Sequence, residues 1–239
     1  MNAIDTTIRD LVARDYRAAA VFERYGIDFC CGGHRTVQDV CTEKGVDPAR
    51  VTAEVAEACA DARTAPPDFA SWNASALVAH IVGLHHAYVR RALPSIGAYT
   101  AKIAEVHGAN HPELREVQQI FAGVTVEMTS HMAKEEQILF PFIDALQDAA
   151  DSGGPAPRPP FGTVGNPIRM MEDEHESAGG AMARIRALTN GYAPPPDACT
   201  TYRVALQELD AFEKDLHAHV HLENNILFPK ALQLEAGVR

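Results

Sequence analysis

The sequence predicts an all-α protein, an up-and-down four-helix bundle preceded by a small helical unit. Three observations lead there. Apolar residues recur at helical spacing between glycine, proline and asparagine breaks, and strand-like alternation is absent. A His-x-x-x-Glu segment occurs twice, 88 residues apart. A threonine-alanine-proline-proline-aspartate stretch at residues 64–68 separates a short leading segment from a longer helical run.

In chain order, residues 7–63 alternate short helical patterns with turn signals at Tyr25-Gly26-Ile27-Asp28, Gly32-Gly33 and Gly45-Val46-Asp47-Pro48. They predict a small cysteine-containing helical domain over residues 1–63. The Pro66-Pro67 pair removes two backbone donors and fixes φ twice, which suits a linker over residues 64–70. The bundle then occupies residues 71–239, with helices expected near 75–106, 113–146, 167–189 and 200–234. Gly108, Asn110 and Pro112 part the first pair, and the glycine- and proline-rich run from Asp151 to Pro160 parts the second and third. Asn166 before Pro167 predicts an N-cap with proline at the first helical position. Asn190-Gly191 closes that helix.

Composition narrows the function classes. The 239 residues are 46% hydrophobic, and no apolar run reaches the ~20 residues of a membrane span. The amino terminus lacks the basic-then-apolar pattern of a secretory signal, so a cytoplasmic location is expected. A formal charge of −11 opposes binding to nucleic acid or anionic membranes. Five cysteines, an odd count at irregular spacing, do not form a disulfide framework. The 11 histidines are the compositional oddity, and several sit beside carboxylates.

His131-Met132-Ala133-Lys134-Glu135-Glu136-Gln137-Ile138-Leu139-Phe140-Pro141 returns as His219-Val220-His221-Leu222-Glu223-Asn224-Asn225-Ile226-Leu227-Phe228-Pro229. His86 and His175 are 89 apart, so each hairpin carries one histidine followed by a His-x-x-x-Glu. Residues four apart share a helix face, so His131 with Glu135 and His219 with Glu223 each present an imidazole and a carboxylate to the same neighbour. At ~1.5 Å rise per residue, His86 and His131 both lie about 30 Å from their shared turn and can face each other.

Four imidazoles and two carboxylates inside a bundle would be strongly destabilising unpaired, and metal removes that penalty. Six ligands exceed what one tetrahedral zinc takes. Two ions bridged by Glu135 and Glu223 fit better, and mixed imidazole and carboxylate ligation suits iron, with manganese second. The expected cofactor is therefore two non-haem iron ions per chain with an oxo or hydroxo bridge and open positions for O2 or NO. For any one histidine a structural role is the simpler account; six residues repeating in register are not so explained. His217 and His221 point away from His219, and His80, His85, His107 and His111 are read as structural or solvated. Glu127 and Glu174 lie beside ligands, either on a solvated face or as carboxylates that orient a ligand.

Cys30 and Cys31 are adjacent in a glycine-rich turn with His34 close by. A small-residue turn explains them simply; reversible oxidation or transient metal binding is the functional alternative.

Taken together, YGIDFCCGG, SHMAKEEQILFP, MEDEHESAG, PPPDACTT and HLENNILFP resemble the Repair of Iron Centres proteins, also called the ScdA or YtfE type, over nearly the whole chain. The resemblance implies a haemerythrin-like bundle behind an ScdA-type amino-terminal domain, with iron ligands His86, His131, Glu135, His175, His219 and Glu223. It further implies repair of iron–sulfur clusters damaged by nitrosative or oxidative stress, by iron donation or NO reduction, with damaged iron–sulfur proteins and an unidentified reductant as partners. A haemerythrin-like carrier or sensor of O2 or NO is the competing expectation. Whether the amino-terminal unit packs on its own bundle or across a homodimer is left open.

Overall fold

The computed structural model describes residues 3–30, 32–60, 66–155 and 157–237. Cys31 and residues 61–65, the last two of which begin the expected linker, lie outside the described residues. Among the described residues there is no strand, only an isolated bridge between Thr7 and Thr36.

Four short helices lead: α1 (Ile8–Arg14), α2 (Arg17–Arg24), α3 (Val37–Lys44) and α4 (Pro48–Ala58). Their ends obey local chemistry. Thr7 and Thr36 accept from the backbone N–H groups of Asp10 and Asp39 as N-caps, and Asp47 caps α4 ahead of Pro48. Gly45 ends α3 at φ 67°, a conformation glycine adopts without strain.

The bundle helices follow. α5 comprises Ala74–His80, a π-helical turn at Ile81–His86, and Ala87–His107. α6 comprises Glu113–Lys134, a π turn at Glu135–Leu139, and Phe140–Ser152. α7 is Gly165–Leu188, and α8 comprises Thr200–Leu222, a π turn at Glu223–Leu227, and Phe228–Gly237. Each helix contacts its two neighbours in a closed ring, α5 to α6 to α7 to α8 and back. No helix is long and apolar enough to cross a membrane.

Two boundaries differ from expectation. α6 runs on to Ser152, where Gly153 stops it at φ 65°. α7 begins at Gly165 rather than Pro167, with Val164 in the cap position. Asn166 is thus inside the first turn, and its side-chain amide donates to the Phe161 carbonyl at 2.7 Å instead of capping. Pro167 is tolerated because the first turn has no intrahelical use for its missing N–H.

The buried apolar side chains form two clusters on either side of a polar layer. One contains Leu77, Ile81, Phe140, Ile143, Ile168 and Phe228. The other contains Val89, Ile96, Phe121, Met182 and Phe212 and continues without a break into Ile8, Phe22, Ile27 and Phe29 of the leading unit. That continuity holds the leading unit on the bundle of its own chain. Polar contacts add register: His217 Nδ1 lies 3.0 Å from Glu23, and Asn225 donates to the carbonyls of Phe29 at 3.2 Å and Cys30 at 3.4 Å.

Candidate metal centre

The polar layer consists of the six residues chosen from spacing. His86, Glu135, His219 and Glu223 form one group of converging ligand atoms, and His131, Glu135, His175 and Glu223 form a second. All six are buried, none more than 1% exposed. Glu135 Oε2 lies 3.3 Å from Nε2 of both His86 and His131. Glu223 presents Oε1 to His219 at 2.9 Å and Oε2 to His175 at 3.1 Å. The imidazoles pair across the layer, His86 with His219 at 3.2 Å and His131 with His175 at 3.1 Å between Nε2 atoms. Each group thus draws two residues from each hairpin.

The helices place these atoms through their π turns. Glu135 and Glu223 each open such a turn, and His86 closes one. The N–H of Phe140 donates five residues back to the Glu135 carbonyl, and that of Phe228 to Glu223. The proline after each phenylalanine explains the opening, since Pro141 and Pro229 have no N–H and would crowd the carbonyl four residues earlier in a regular helix.

The donor set fits a pair of cations. Both oxygens of Glu135 and Oε2 of Glu223 are buried without a hydrogen-bond partner among the described residues, a costly state for carboxylates that metal ligation resolves. Electrostatics agree. Burial draws the Glu223 carboxyl upward, but the neighbouring charge of His219 and the close imidazoles of His175 and His219 outweigh it, holding the group well below the usual carboxylate range. Burial disfavours charge on His131, yet the adjacent Glu135 overcomes it and lifts the imidazole to about 9. Mixed imidazole and carboxylate donors suit iron.

Beyond these atoms, the ring orientations are fixed from behind. His86 Nδ1 lies 2.6 Å from Glu136, which Arg90 also engages. His131 Nδ1 lies 2.9 Å from Glu174, which also pairs with Lys134. His175 Nδ1 lies 2.8 Å from the amide oxygen of Asn224. His219 Nδ1 has no hydrogen-bond partner among the described residues; its ring instead stacks on His85 at 5.6 Å and 8°, and His85 Nδ1 lies 3.0 Å from Asp215. Of the two carboxylates singled out from sequence, Glu174 reaches a ligand. Glu127 does not: it is exposed and accepts from Ser177 at 3.3 Å. Glu136 and Asn224 were not singled out, although each follows the glutamate of a repeated segment and alignment of the two copies would have raised them.

Cys30 is buried, and its thiol donates to Asp28 at 3.2 Å. The loop that carries it closes tightly, since a Cβ on Gly33 would lie 2.4 Å from the Phe29 carbonyl oxygen. A cavity of about 280 Å³ lined by Cys30, His34, Glu172, Glu176 and Asn224 sits between this loop and the His175 side of the polar layer.

Comparison with known proteins agrees with this architecture. Residues 4–59 match the ScdA_N family, a domain of unknown function (DUF542), and residues 77–231 match the hemerythrin HHE cation binding domain. A protein of Musicola paradisiaca (strain Ech703) named iron-sulfur cluster repair protein YtfE is 33% identical, over 99% of this chain and all of that protein. Proteins of the same name from Citrobacter koseri and Escherichia coli O157:H7 are each 32% identical, over 97% and 95% of this chain and 99% and 97% of their own lengths. With both family matches in the observed order and relatives aligned end to end, the chain belongs to the Repair of Iron Centres family of ScdA/YtfE-type haemerythrin-like proteins.

Proposed function

We propose that this chain is a non-haem di-iron protein that repairs iron–sulfur clusters damaged by nitrosative or oxidative stress. The observation that carries it is the pair of four-residue groups sharing Glu135 and Glu223, of whose carboxylate oxygens both of Glu135 and Oε2 of Glu223 are buried without a hydrogen-bond partner among the described residues. In this reading His86 and His219 would hold one ion and His131 and His175 the other, with Glu135 and Glu223 common to both groups. Ferrous iron held there supplies electrons and open positions for NO, or is itself the iron returned to a damaged cluster.

The residues of the chain do the rest. The apolar clusters above and below the layer exclude water, which strengthens every charge interaction inside. Glu136, Glu174 and Asn224 fix three imidazole rings with Nε2 directed inward. Cys30 and Cys31 serve as redox thiols, Cys30 lining the cavity that Asn224 also lines, and damaged iron–sulfur proteins and a cellular reductant act as partners.

The test is anaerobic. Metal content is measured first; the reduced protein then receives NO, with nitrous oxide and chelatable iron quantified together and a damaged iron–sulfur enzyme assayed for recovery. Two irons per chain with recovery of the enzyme is the expected result. Nitrous oxide formation assigns the NO-reducing route, and iron loss without it assigns donation. Reversible O2 or NO binding with no recovery of the enzyme refutes the repair reading and leaves a carrier or sensor.

A further inference from the structure

The geometry points to two unequal iron positions, with the His86/His219 position the weaker one that gives up its iron first. This rests on the di-iron reading above.

The bundle is a duplicated hairpin, and the residues behind the ligands follow the same duplication. Glu136 and Asn224 occupy matching places, one residue after Glu135 and Glu223, and they do matching work: Glu136 accepts from His86 Nδ1, Asn224 from His175 Nδ1. Glu174 and His85 also match, one residue before His175 and His86. Here the symmetry breaks. Glu174 accepts from His131 Nδ1 at 2.9 Å. His85 offers no carboxylate; it turns its Nδ1 to Asp215, lies flat on the His219 ring, and leaves His219 Nδ1 buried with no acceptor among the described residues.

An acceptor on the far nitrogen of a ligating histidine orients the ring and makes it a stronger donor, and its loss lowers metal affinity by about 10- to 100-fold. The His131/His175 position has both acceptors, while the His86/His219 position has one. Ring stacking by His85 restrains tilt but supplies no charge to balance the polarised N–H of a metal-bound imidazole. The first iron to leave therefore comes from between His86 and His219. His85 is a positioning residue for that lability.

The experiment uses the full chain loaded anaerobically with two ferrous ions and then treated with one equivalent of a ferrous chelator. Anomalous diffraction at the iron edge locates the remaining metal. Iron retained between His131 and His175 is the expected result; iron retained between His86 and His219, or spread evenly, overturns the inference while leaving the di-iron reading intact. A chain that takes up no iron pair overturns both. His85→Glu restores the missing acceptor and is expected to slow release of the first iron by about 10- to 100-fold. Unchanged release from this variant overturns the assignment of His85. Should that variant not fold, Glu174→His makes the opposite change, and the slow iron is expected to become as labile as the fast one. Persistence of a slow iron in Glu174→His is equally refuting.

Discussion

Asn225→Leu cuts the link between the cysteine loop and the metal layer. Three consecutive residues in the π turn of α8 have three different jobs: Glu223 faces the ligand cluster, Asn224 holds His175, and Asn225 reaches the carbonyls of Phe29 and Cys30. The same amide lies 3.0 Å from Nδ1 of the buried His221. Leucine has similar bulk but no donor, so two loop carbonyls and one imidazole lose a hydrogen bond. A buried acceptor left unsatisfied costs about 1–3 kcal/mol, which raises the local opening equilibrium about 5- to 150-fold. Hydrogen exchange of peptides spanning residues 26–36, compared with peptides from α6 as reference, reads that change directly. Exchange is expected to rise in the loop and stay unchanged in α6, with iron content preserved because Glu223 is untouched. Loop exchange equal to that of the parent protein would show that Asn225 does not hold the loop; a rise across the whole bundle would show that it acts on global stability.

Four further outcomes follow from the structure. Glu135→Leu combined with Glu223→Leu removes both carboxylates proposed to bridge and should lower bound iron below one per chain; a magnetically coupled pair surviving in that variant refutes bridging. Phe121→Ala leaves a cavity against Phe212, whose ring is 5.5 Å away edge to face; the expected loss is about 3–5 kcal/mol, or about 6–20 °C in melting temperature, with iron per folded chain unchanged. Burial holds His221 down at about 4, so the folded state resists its protonation. Stability is full above the unfolded value near 6.5 and falls as pH drops from there to about 4, by at most about 3 kcal/mol. A pH-dependent melting series in which His221→Gln retains the same slope would assign the slope elsewhere. Cys30→Ser with Cys31→Ser should leave iron content intact and reduce repair of a damaged cluster enzyme; unaltered repair removes the pair from the mechanism.

Much of this was legible in the sequence because the helix period is rigid. His131 and Glu135, or His219 and Glu223, can be assigned to one face from their spacing alone, and duplication then pairs them with His86 and His175. Apart from the end of α6, glycine and asparagine breaks located the bundle helices to within a few residues, as at Asn190-Gly191, which takes left-handed backbone. What spacing does not carry is anything set by ring rotation or by the register between helices. Whether Glu174 or Glu127 meets a histidine depends on how α6 and α7 slide past each other, and the two look equivalent in the linear sequence. His85 is adjacent to His86 and reads only as structural or solvated; it is 5% exposed and stacks on His219. The π turns are a third example. Pro141 and Pro229 announce a disturbed helix, but only the fold shows that the disturbance coincides with Glu135 and Glu223.

Because each group of converging ligand atoms takes two residues from either hairpin, neither hairpin assembles a complete group alone. A nascent chain that has emerged only as far as the first hairpin offers His86, His131 and Glu135 and nothing opposite them. Ferrous iron captured at that stage is held by half a ligand set and is readily lost again. On the proposed di-iron reading, a full ligand set exists only once Glu223 has been translated, which would tie iron acquisition to completion of the bundle.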